Sequence, residues 1–422
     1  MVPALGQAAT FIASNDAEFA QAISQATDGD TIKLAPGNYG RVLLISGQYN
    51  QIRVGGTFLP NAAPVLNANV TIESQDPNNR AVIHNIDIRS DYWTFNDVAF
   101  ALTPAGQYFY AAKFTGNNNR LTNSVITYGD STGWSASDWI NNAGRGVYIR
   151  GTGNQASNNY MKNIGAGIIV DHGSSNTLVR RNTIKNLAGD AVQAHGHHTL
   201  IEKNLFMNFK SVDANHDDCI QSFSKQGGVI GAGSVVGMTI RGNLCVSNED
   251  PNDPFYSGNQ GYVIFNGMAD DWLIEDNVLV SSTYHGISLT SAKNSTITHN
   301  TVLDDNPSLN GANTVWIRIL GAGIGNEVSN NIANVLIANP NVTFSNNETI
   351  NLSEYDDWFV DWQNYNFDLK ETAPNQTVGA SLMDPGASFD PYAVPLPASL
   401  PLFLGGIGLA GVIVLQAKRR KA

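Results

Sequence analysis

The stretch that decides the fold is residues 159–208, which read NYMKNIGAGIIVDHGSSNTLVRRNTIKNLAGDAVQAHGHHTLIEKNLFMN. The pattern Asn-x-x-x-Asn starts at Asn159, Asn182 and Asn204, in steps of 23 and 22 residues. Asn277 and Asn300, again 23 residues apart, continue the repeat. A unit of this length cannot bury an apolar face alone, so it has to stack on its neighbours.

Each unit also carries a run typical of a β-strand: GVYIRG, GIIVDHG, AVQAHG, CIQSF, GYVIFNG and GISLT. In these runs, inward-facing and outward-facing residues alternate as they do along a β-strand, and β-branched residues are frequent. Both features argue against helical repeats. Asn123 and Asn243 fit the repeat after longer insertions. A repeat of 22 to 23 residues holds three short strands and three turns, which is one coil of a β-helix. Asparagines at the same turn of each coil are expected to hydrogen-bond along the stack.

Residues 80–350 resemble the right-handed parallel β-helix proteins of the pectate-lyase type on the strength of this repeat. Residues 15–26, NDAEFAQAISQA, predict an amphipathic helix with an Asn cap, followed by the strand and turn GDTIKLAPGNY. That opening resembles polysaccharide-lyase β-helices, in which the helix covers the open end of the first coil. We therefore predict an all-β fold, with the β-helix over residues 10–370 and an N-terminal capping helix.

The two ends of the chain predict export. Residues 1–9 end in Gln-Ala-Ala and are interpreted as the remnant of a signal peptide. Residues 371–393 are predicted to be a polar linker. Residues 394–422 begin with VPLPA, continue without charge from 400 to 415, and end in a basic cluster. This order predicts a C-terminal transmembrane helix with the basic cluster on the cytoplasmic side, and it resembles bacterial VPLPA/PEP-type sorting signals.

That resemblance implies an exported, cell-surface or extracellular protein, anchored by residues 394–422 until the sorting and processing machinery acts on it. The formal net charge of −12 excludes nucleic acid as an expected partner. Two cysteines, Cys219 and Cys245, form neither a disulfide framework nor a metal motif, and buried or free thiols are expected. No cofactor is predicted. Calcium stays open, although the acidic pairs lack the spacing of its ligands.

Aligning the strands that follow each Asn turn predicts which side chains face inward and which face outward. The inward column is Val147, Ile168, Val192, Ile220 and Ile287. One outward column is Tyr148, Ile169, Gln193, Gln221 and Ser288. The other is Arg150, Asp171, His195, Phe223 and Thr290. Neighbouring coils lie about 4.8 Å apart, so Arg150, Asp171 and His195 are expected to touch.

The next strand is entered through a polar segment, residues 213–221, and five of the eight histidines lie between 172 and 216. Titratable groups clustered on one face favour a functional site. The predicted catalytic residues are Arg150, Asp171, His195, His216, Asp218 and Lys225. The predicted substrate-binding residues are Trp134, Trp139, Tyr148, Gln193, Asp217 and Gln221, the two tryptophans as exposed stacking platforms for sugar rings.

The segment DANHDDC resembles the Asp-Pro-His-Asp motif of mannuronan C5-epimerases through His216 and Asp217, but it lacks the proline. The expected function is that of a polysaccharide lyase or C5-epimerase acting on an acidic polysaccharide. Arg150 or Lys225 would neutralise the uronate, and His195 or His216 would move the C5 proton. Asp171 and Asp218 would orient the histidines.

Two alternatives stay open at this point. A glycoside hydrolase would use paired carboxylates, for which Asp171, Asp217 and Asp218 are the candidates. A non-catalytic surface adhesin or matrix protein that binds exopolysaccharide would fit the same fold, because β-helices serve both roles.

Overall fold

The computed structural model describes residues 8–102, 108–250, 252–256, 258–305 and 315–381. Within these residues the chain winds through three parallel sheets, and each coil adds one strand to every sheet in turn. This is the predicted β-helix. Strands of the first sheet are Thr10–Ala13, Thr31–Leu34, Val70–Ser74, Trp93–Asn96, Arg120–Thr122, Gln155–Ser157, Leu178–Arg180, Leu200–Glu202, Thr239–Arg241, Leu273–Glu275, Thr296–Thr298, Asn326–Ser329 and Val342–Ser345.

The second sheet follows the first after a short turn in each coil. Its strands are Asn38–Tyr39, Val82–Ile83, Ala99–Ala101, Val125–Thr127, Tyr160–Ile164, Thr183–Leu187, Leu205–Phe209, Leu244–Val246, Val278–Ser281, Thr301–Asp304, Ile332–Ala333 and Glu348–Thr349. Insertions concentrate where the chain passes from the second sheet to the third, and from the third back to the first.

The third sheet carries the candidate site. Its strands are Val42–Ile45, Ile86–Arg89, Tyr110–Phe114, Arg145–Thr152, Ala166–Ser175, Val192–Ala194, Ile220–Phe223, Tyr262–Asn266, His285–Lys293, Val315–Ala322 and Val335–Ile337. Antiparallel strands Gln51–Val54 and Thr57–Pro60 extend its first edge. Strands Ser234–Val236 and Met268–Asp270 pair beside the end of His285–Lys293. Two hairpins stand apart, Lys225–Gln226 with Val229–Ile230 and Phe359–Asp361 with Asn366–Leu369.

The predicted capping helix is present as Asp16–Gln25. Asn15 caps it by accepting a hydrogen bond from the amide of Glu18, and the apolar face with Phe19 and Ile23 is fully buried in the core. The ring of Phe19 meets Tyr39 of the first coil edge-on at 5.7 Å. The helix therefore covers the apolar interior at the start of the solenoid, where an open coil end would invite aggregation.

The repeat asparagines form the expected hydrogen-bonded ladder. In each step the side-chain oxygen of one asparagine accepts the backbone amide of the asparagine one coil earlier, at 2.8 to 3.1 Å. The members are Asn159, Asn182, Asn204, Asn243, Asn277, Asn300, Asn331 and Asn347.

One member of the sequence repeat is displaced by a residue. Ser124, not Asn123, stands at the ladder position, and Asn123 takes the left-handed turn before it at φ 52°. Asparagine tolerates that backbone region, so it occurs both at the ladder position and at the left-handed position before it. The sequence alone therefore does not show which of the two positions an asparagine such as Asn123 occupies.

The interior between the sheets is apolar, and one disulfide bond joins two neighbouring coils inside it. Cys219 and Cys245, 26 residues apart, form a disulfide inside adjacent coils, so the expectation of free thiols was wrong. Neither cysteine lies in a sequence motif that predicts the pairing. Their proximity follows from the coil, which brings the start of strand Ile220–Phe223 next to strand Leu244–Val246.

The outer face of the second sheet is covered by the end of the described chain. Tyr355, Trp358 and Phe359 are buried against outward side chains of that sheet such as Met207 and Val280. This segment contains helix Tyr355–Trp358 and the 3-10 turns Leu352–Glu354 and Trp362–Asn364. Residues 371–381, assigned from the sequence to a linker, continue the cover: Val378 is buried and the amide of Ala380 donates to Thr301 Oγ1.

Within the described part of the chain, no helix has the length and apolar character needed to cross a membrane. The predicted sorting tail, residues 394–422, and the first seven residues lie outside the described residues.

Candidate active site

The strand register of the third sheet shows which residues of the two predicted outward columns are neighbours. Tyr148, Ile169, Gln193 and Gln221 stand side by side on successive strands. Val263 follows Gln221, and Ser288 and Arg318 come after it. The predicted column is therefore confirmed with one additional coil, which the sequence alignment passed over. The predicted inward column is confirmed as well, because Val147, Ile168, Val192, Ile220 and Ile287 are all buried and share one register.

Arg150, Asp171 and His195 lie together, as their column predicts. Arg150 Nε is 3.8 Å from Asp171 Oδ2, and His172 Nδ1 is 3.7 Å from Asp171 Oδ1. The rings of His172 and His195 are stacked at 4.6 Å, and Phe223 packs on both. We call Asp171, His172, His195 and Phe223 the histidine stack.

The histidine stack is packed in a way that restricts His195. Its side chain is buried, and Nδ1 accepts a hydrogen bond from the backbone amide of Phe223 at 3.3 Å. Burial, followed by the nearby charge of His172, lowers the pKa of His195 to about 3. The ring is therefore neutral at physiological pH. Its geometry is that of a packing residue and does not favour the acid–base role expected from the sequence.

A second cluster lies at the starts of two neighbouring strands, Val192–Ala194 and Ile220–Phe223. The backbone amide of Asp218 donates to Asp190 Oδ1 at 2.9 Å. Gln193 Nε2 donates to Asp190 Oδ2 at 2.7 Å, and Gln221 Nε2 donates to Asp218 Oδ2 at 2.7 Å. Asp217 is adjacent and equally buried. We call Asp190, Asp217 and Asp218 the acid group.

The acid group holds carboxyls that resist ionisation. Burial and then the charge of Asp218 raise the pKa of Asp190 to about 7. Burial, followed by the charge of Asp190, raises the pKa of Asp217 well above its ordinary value. Burial also raises the pKa of Asp218. Burial and the neighbouring carboxyls oppose ionisation, so each member of the group holds its proton more tightly than an ordinary aspartate.

His216 joins the acid group from its solvent side. Its Nδ1 is 3.1 Å from Asp218 Oδ2, and 46% of its side chain is exposed. The hydrogen bond to Asp218 is the main cause of the raised pKa of His216, so the ring favours its charged form and stabilises the Asp218 carboxylate. Asp217 Oδ2 and Asp218 Oδ1 are buried acceptors without a hydrogen-bond partner among the described residues. The pair of predicted residues His216 and Asp218 is thus brought together, apart from His195.

A cavity of 260 Å³ opens beside Asp190 and Gln193. Trp139 and Arg145 belong to its lining. Trp139 is 3% exposed and meets Trp134 edge-on at 5.0 Å, so the expectation of two exposed stacking platforms was wrong. The reason is that residues 136–142 form a short helix whose apolar face turns toward the protein.

The remaining predicted residues lie at the margins. Tyr148 packs against Tyr110 at 5.4 Å, and Lys113 Nζ lies 5.4 Å from the centre of the Tyr148 ring. Lys225 is exposed in the hairpin Lys225–Gln226, and within the described residues no hydrogen bond or ion pair joins it to the acid group.

Sequence reasoning missed Asp190 and a group farther along the sheet. Arg318 lies 3.2 Å from His285 Nδ1 and 4.4 Å from the centre of the Trp316 ring, and Trp316 Nε1 donates to Ser288 Oγ at 2.8 Å. Burial and the charge of Arg318 lower the pKa of His285 to about 4. Asp190 carried a usable signal, because it stands at the start of its strand in the same way as Asp218. In the described part of the chain, no group of three or more His, Cys, Asp or Glu side chains is arranged so that it could hold a metal ion.

No family model and no curated protein matches the chain. Among solved structures, a PL6 family polysaccharide lyase from Pseudopedobacter saltans superposes with a TM-score of 0.52 at 14% identity, over 88% of this chain and 99% of that one. PfbA, a surface adhesin of Streptococcus pneumoniae, matches at 0.49 and 13%, over 82% and 91%. Pectate lyase Pel9A matches at 0.42 and 15%, over 85% and 82%. At such identities the likeness shows the fold alone, which is the β-helix of polysaccharide lyases.

Proposed function

We propose that the protein hydrolyses glycosidic bonds of a polysaccharide on the outer face of the third sheet, with the acid group as its catalytic centre. The observation that carries the proposal is the pair of buried carboxyls Asp190 and Asp218 at the starts of two adjacent strands, where the amide of Asp218 donates to Asp190 and the pKa of Asp190 is raised to about 7. Glycoside hydrolysis needs one carboxyl that keeps its proton and one that is ionised.

The environments of the carboxyls assign the roles. Asp190 holds its proton up to neutral pH and donates it to the oxygen of the leaving sugar. Asp218, whose ionised form is stabilised by His216 and Gln221, is assigned as the base. Its side chain is fully buried, so the attacking water has to reach it beside the half-exposed ring of His216. The water oxygen bonds to the anomeric carbon as the glycosidic bond breaks. Asp217, kept neutral by burial, serves substrate binding, the role predicted for it from the sequence.

Elimination or C5-epimerisation, expected from the sequence, is less well supported. Of its two proposed bases, His195 is buried and neutral, whereas His216 is half-exposed but has a raised pKa through Asp218, which favours its charged form. Of its two proposed cations, Arg150 faces Asp171 and Lys225 lies exposed in its hairpin. An acidic polysaccharide remains the proposed substrate class, because Arg145 and Arg318 lie on the same sheet on either side of the acid group.

Export to the cell surface belongs to the same proposal. Polysaccharides of this class lie outside the cell, and the VPLPA motif of residues 394–398 supports delivery there. The disulfide between Cys219 and Cys245 also suits an oxidising compartment.

The test is an assay of new reducing ends on a panel of acidic and neutral polysaccharides. Asp218→Asn and Asp190→Asn should each lower kcat by at least about a hundredfold, the scale of general acid–base catalysis. The matched control is Asp271→Asn, which makes the same chemical change at an exposed turn with φ 59°, where asparagine fits. It should retain full activity. Unsaturated products would indicate a lyase, and glycan binding without any product would indicate an adhesin; either result overturns the proposal.

A further inference from the structure

The passages from the second sheet to the third differ sharply in length from coil to coil. Residues 128–144 and residues 210–219 make long passages. Between them lie two coils whose passages are very short, residue 165 in one and residues 188–191 in the next. The two long passages therefore stand as walls on either side of a low floor. Their strands are separated by three strand spacings, roughly 14 Å.

The cavity of 260 Å³ occupies this gap. Trp139 and Ile140 line it from the first wall, and Val212 and Asn215 from the second. Asp190, from the acid group, stands at the edge of the floor. The volume is below the range of roughly 300–1,000 Å³ that encloses drug-sized ligands, so it suits a single sugar ring rather than a stretch of chain.

Gly165 and Gly189 leave the floor of the cavity without side chains at these two positions. A Cβ atom on Gly165 would lie 2.6 Å from the carbonyl oxygen of Ala143, and a Cβ on Gly189 would collide with the carbonyl of Gly165. These contacts come from the stacking of the coils themselves. The floor is thus a property of the backbone, and larger residues cannot fill it from these two positions.

Both walls are braced and do not have the build of a mobile lid. In the first wall, Ser135 and Asp138 form a capping box, and Ser131 Oγ donates to Asn163 Oδ1 at 2.9 Å. In the second, the amide of Ser211 donates to the carbonyl of Phe255 at 2.9 Å, and Lys210 forms an ion pair with Asp253. A sugar in the cavity meets a fixed wall on each side along the solenoid axis.

We infer that the cavity is a subsite for the terminal residue of the polysaccharide, which makes the enzyme exo-acting. The inference rests on the proposed function. A chain whose last sugar sits between the walls cannot continue past them, and Asp190 at the cavity edge is placed to protonate the bond that joins this sugar to the next. Trp139, Ile140 and Val212 are then residues that determine specificity for chain ends.

The first experiment follows the products of the wild-type protein on the best polysaccharide of the panel. An exo-acting enzyme releases one small product from the first time point, while the viscosity of the solution falls slowly. A ladder of oligosaccharides with a rapid fall in viscosity would overturn the inference and leave the hydrolytic function standing.

The second experiment fills the cavity. Ala188→Trp places an indole on the cavity floor and should lower kcat/KM at least tenfold, while Ala232→Trp, a half-buried position outside the cavity lining, should leave it unchanged. Circular dichroism and the unfolding midpoint show whether each variant folds. Equal activity of the two variants would overturn the inference.

A binding measurement separates this inference from the proposed function. Isothermal titration of the wild-type protein with hexoses and hexuronates, used as single-sugar probes, should detect binding that Ala188→Trp abolishes and Ala232→Trp keeps. That result would uphold the subsite even if no polysaccharide were cleaved. Absence of binding by the wild-type protein to every probe would overturn the inference.

Discussion

Replacement of Asn204 by alanine should strongly destabilise the β-helix. Asn204 is fully buried in the middle of the asparagine ladder. Its Oδ1 accepts the backbone amide of Asn182 at 2.8 Å, and its Nδ2 donates to the carbonyls of Val179 and Glu202 at 3.1 Å. Alanine offers neither group, and no space opens for bulk water between stacked coils.

The magnitude follows from the groups left unpaired. The backbone and side-chain amides of Asn182 lose the acceptor that Asn204 provides, and the side-chain oxygen of Asn243 loses a donor. The carbonyls of Val179 and Glu202 also lose a donor, but that of Glu202 still accepts the amide of Arg181. A buried polar group without a partner costs about 1–3 kcal/mol, so we expect a loss of about 3 kcal/mol in the free energy of unfolding. Asn347, half-buried at the end of the ladder, should cost about half as much when it is replaced by alanine.

Urea unfolding followed by tryptophan fluorescence measures these differences. The control is Asn141→Ala, an exposed position at the end of helix Ala136–Asn142, where alanine is a good helix former and the change should stay within about 0.5 kcal/mol. If Asn204→Ala were no more destabilising than Asn141→Ala, the ladder would not be a source of stability, and the physical explanation of the sequence repeat would fail.

Three further predictions concern titration and the disulfide. Because Asp190 must be protonated to act, activity should fall as pH rises through about 7, and His216→Ala should move the acid limb of the profile upward, since Asp218 then ionises less readily. The folded pKa of His195 lies below its ordinary value, so stability should be full above about pH 6.5 and decline as pH falls toward 3. His195→Asn, which retains an acceptor for the amide of Phe223, should flatten that decline in acid-unfolding curves. Reductant should lower the unfolding free energy of the wild type by about 3 kcal/mol through the Cys219–Cys245 link and leave Cys245→Ser unaffected.

The parts of the fold that could be predicted were those with local, repeated causes. A buried asparagine in each coil recurs at the interval of the coil, so the repeat revealed both the solenoid and its register. From the register came the neighbours Arg150, Asp171 and His195, as well as the pairing of His216 with Asp218. Strand alternation was sufficient to separate Val192 from Gln193.

The parts that could not be predicted depend on contacts between distant segments. An extra coil around Val263 separates Gln221 from Ser288. Its strand run GYVIFNG is visible in the sequence, but the aligned columns omit it, since a long insertion precedes it. The burial of Trp139 depends on a helix formed inside an insertion, and the disulfide of Cys219 depends on a neighbour one coil away. Composition indicates none of these.

The surroundings of His195 could not be predicted from the sequence for a related reason. A histidine beside an aspartate resembles an acid–base pair in the sequence, whereas its burial under Phe223 becomes visible only when the coils are stacked. Asp190 was overlooked because its partner, Asp218, lies 28 residues later in the chain.

The central claim is that the acid group adds water to a glycosidic bond. Its most direct test is cleavage of the polysaccharide panel by the wild-type protein in water labelled with heavy oxygen, followed by mass spectrometry of the products. Hydrolysis at Asp190 and Asp218 predicts that each new reducing end carries one labelled oxygen at its anomeric carbon, measured at early times before that oxygen exchanges with the solvent. Products that are unsaturated and free of label would contradict the claim.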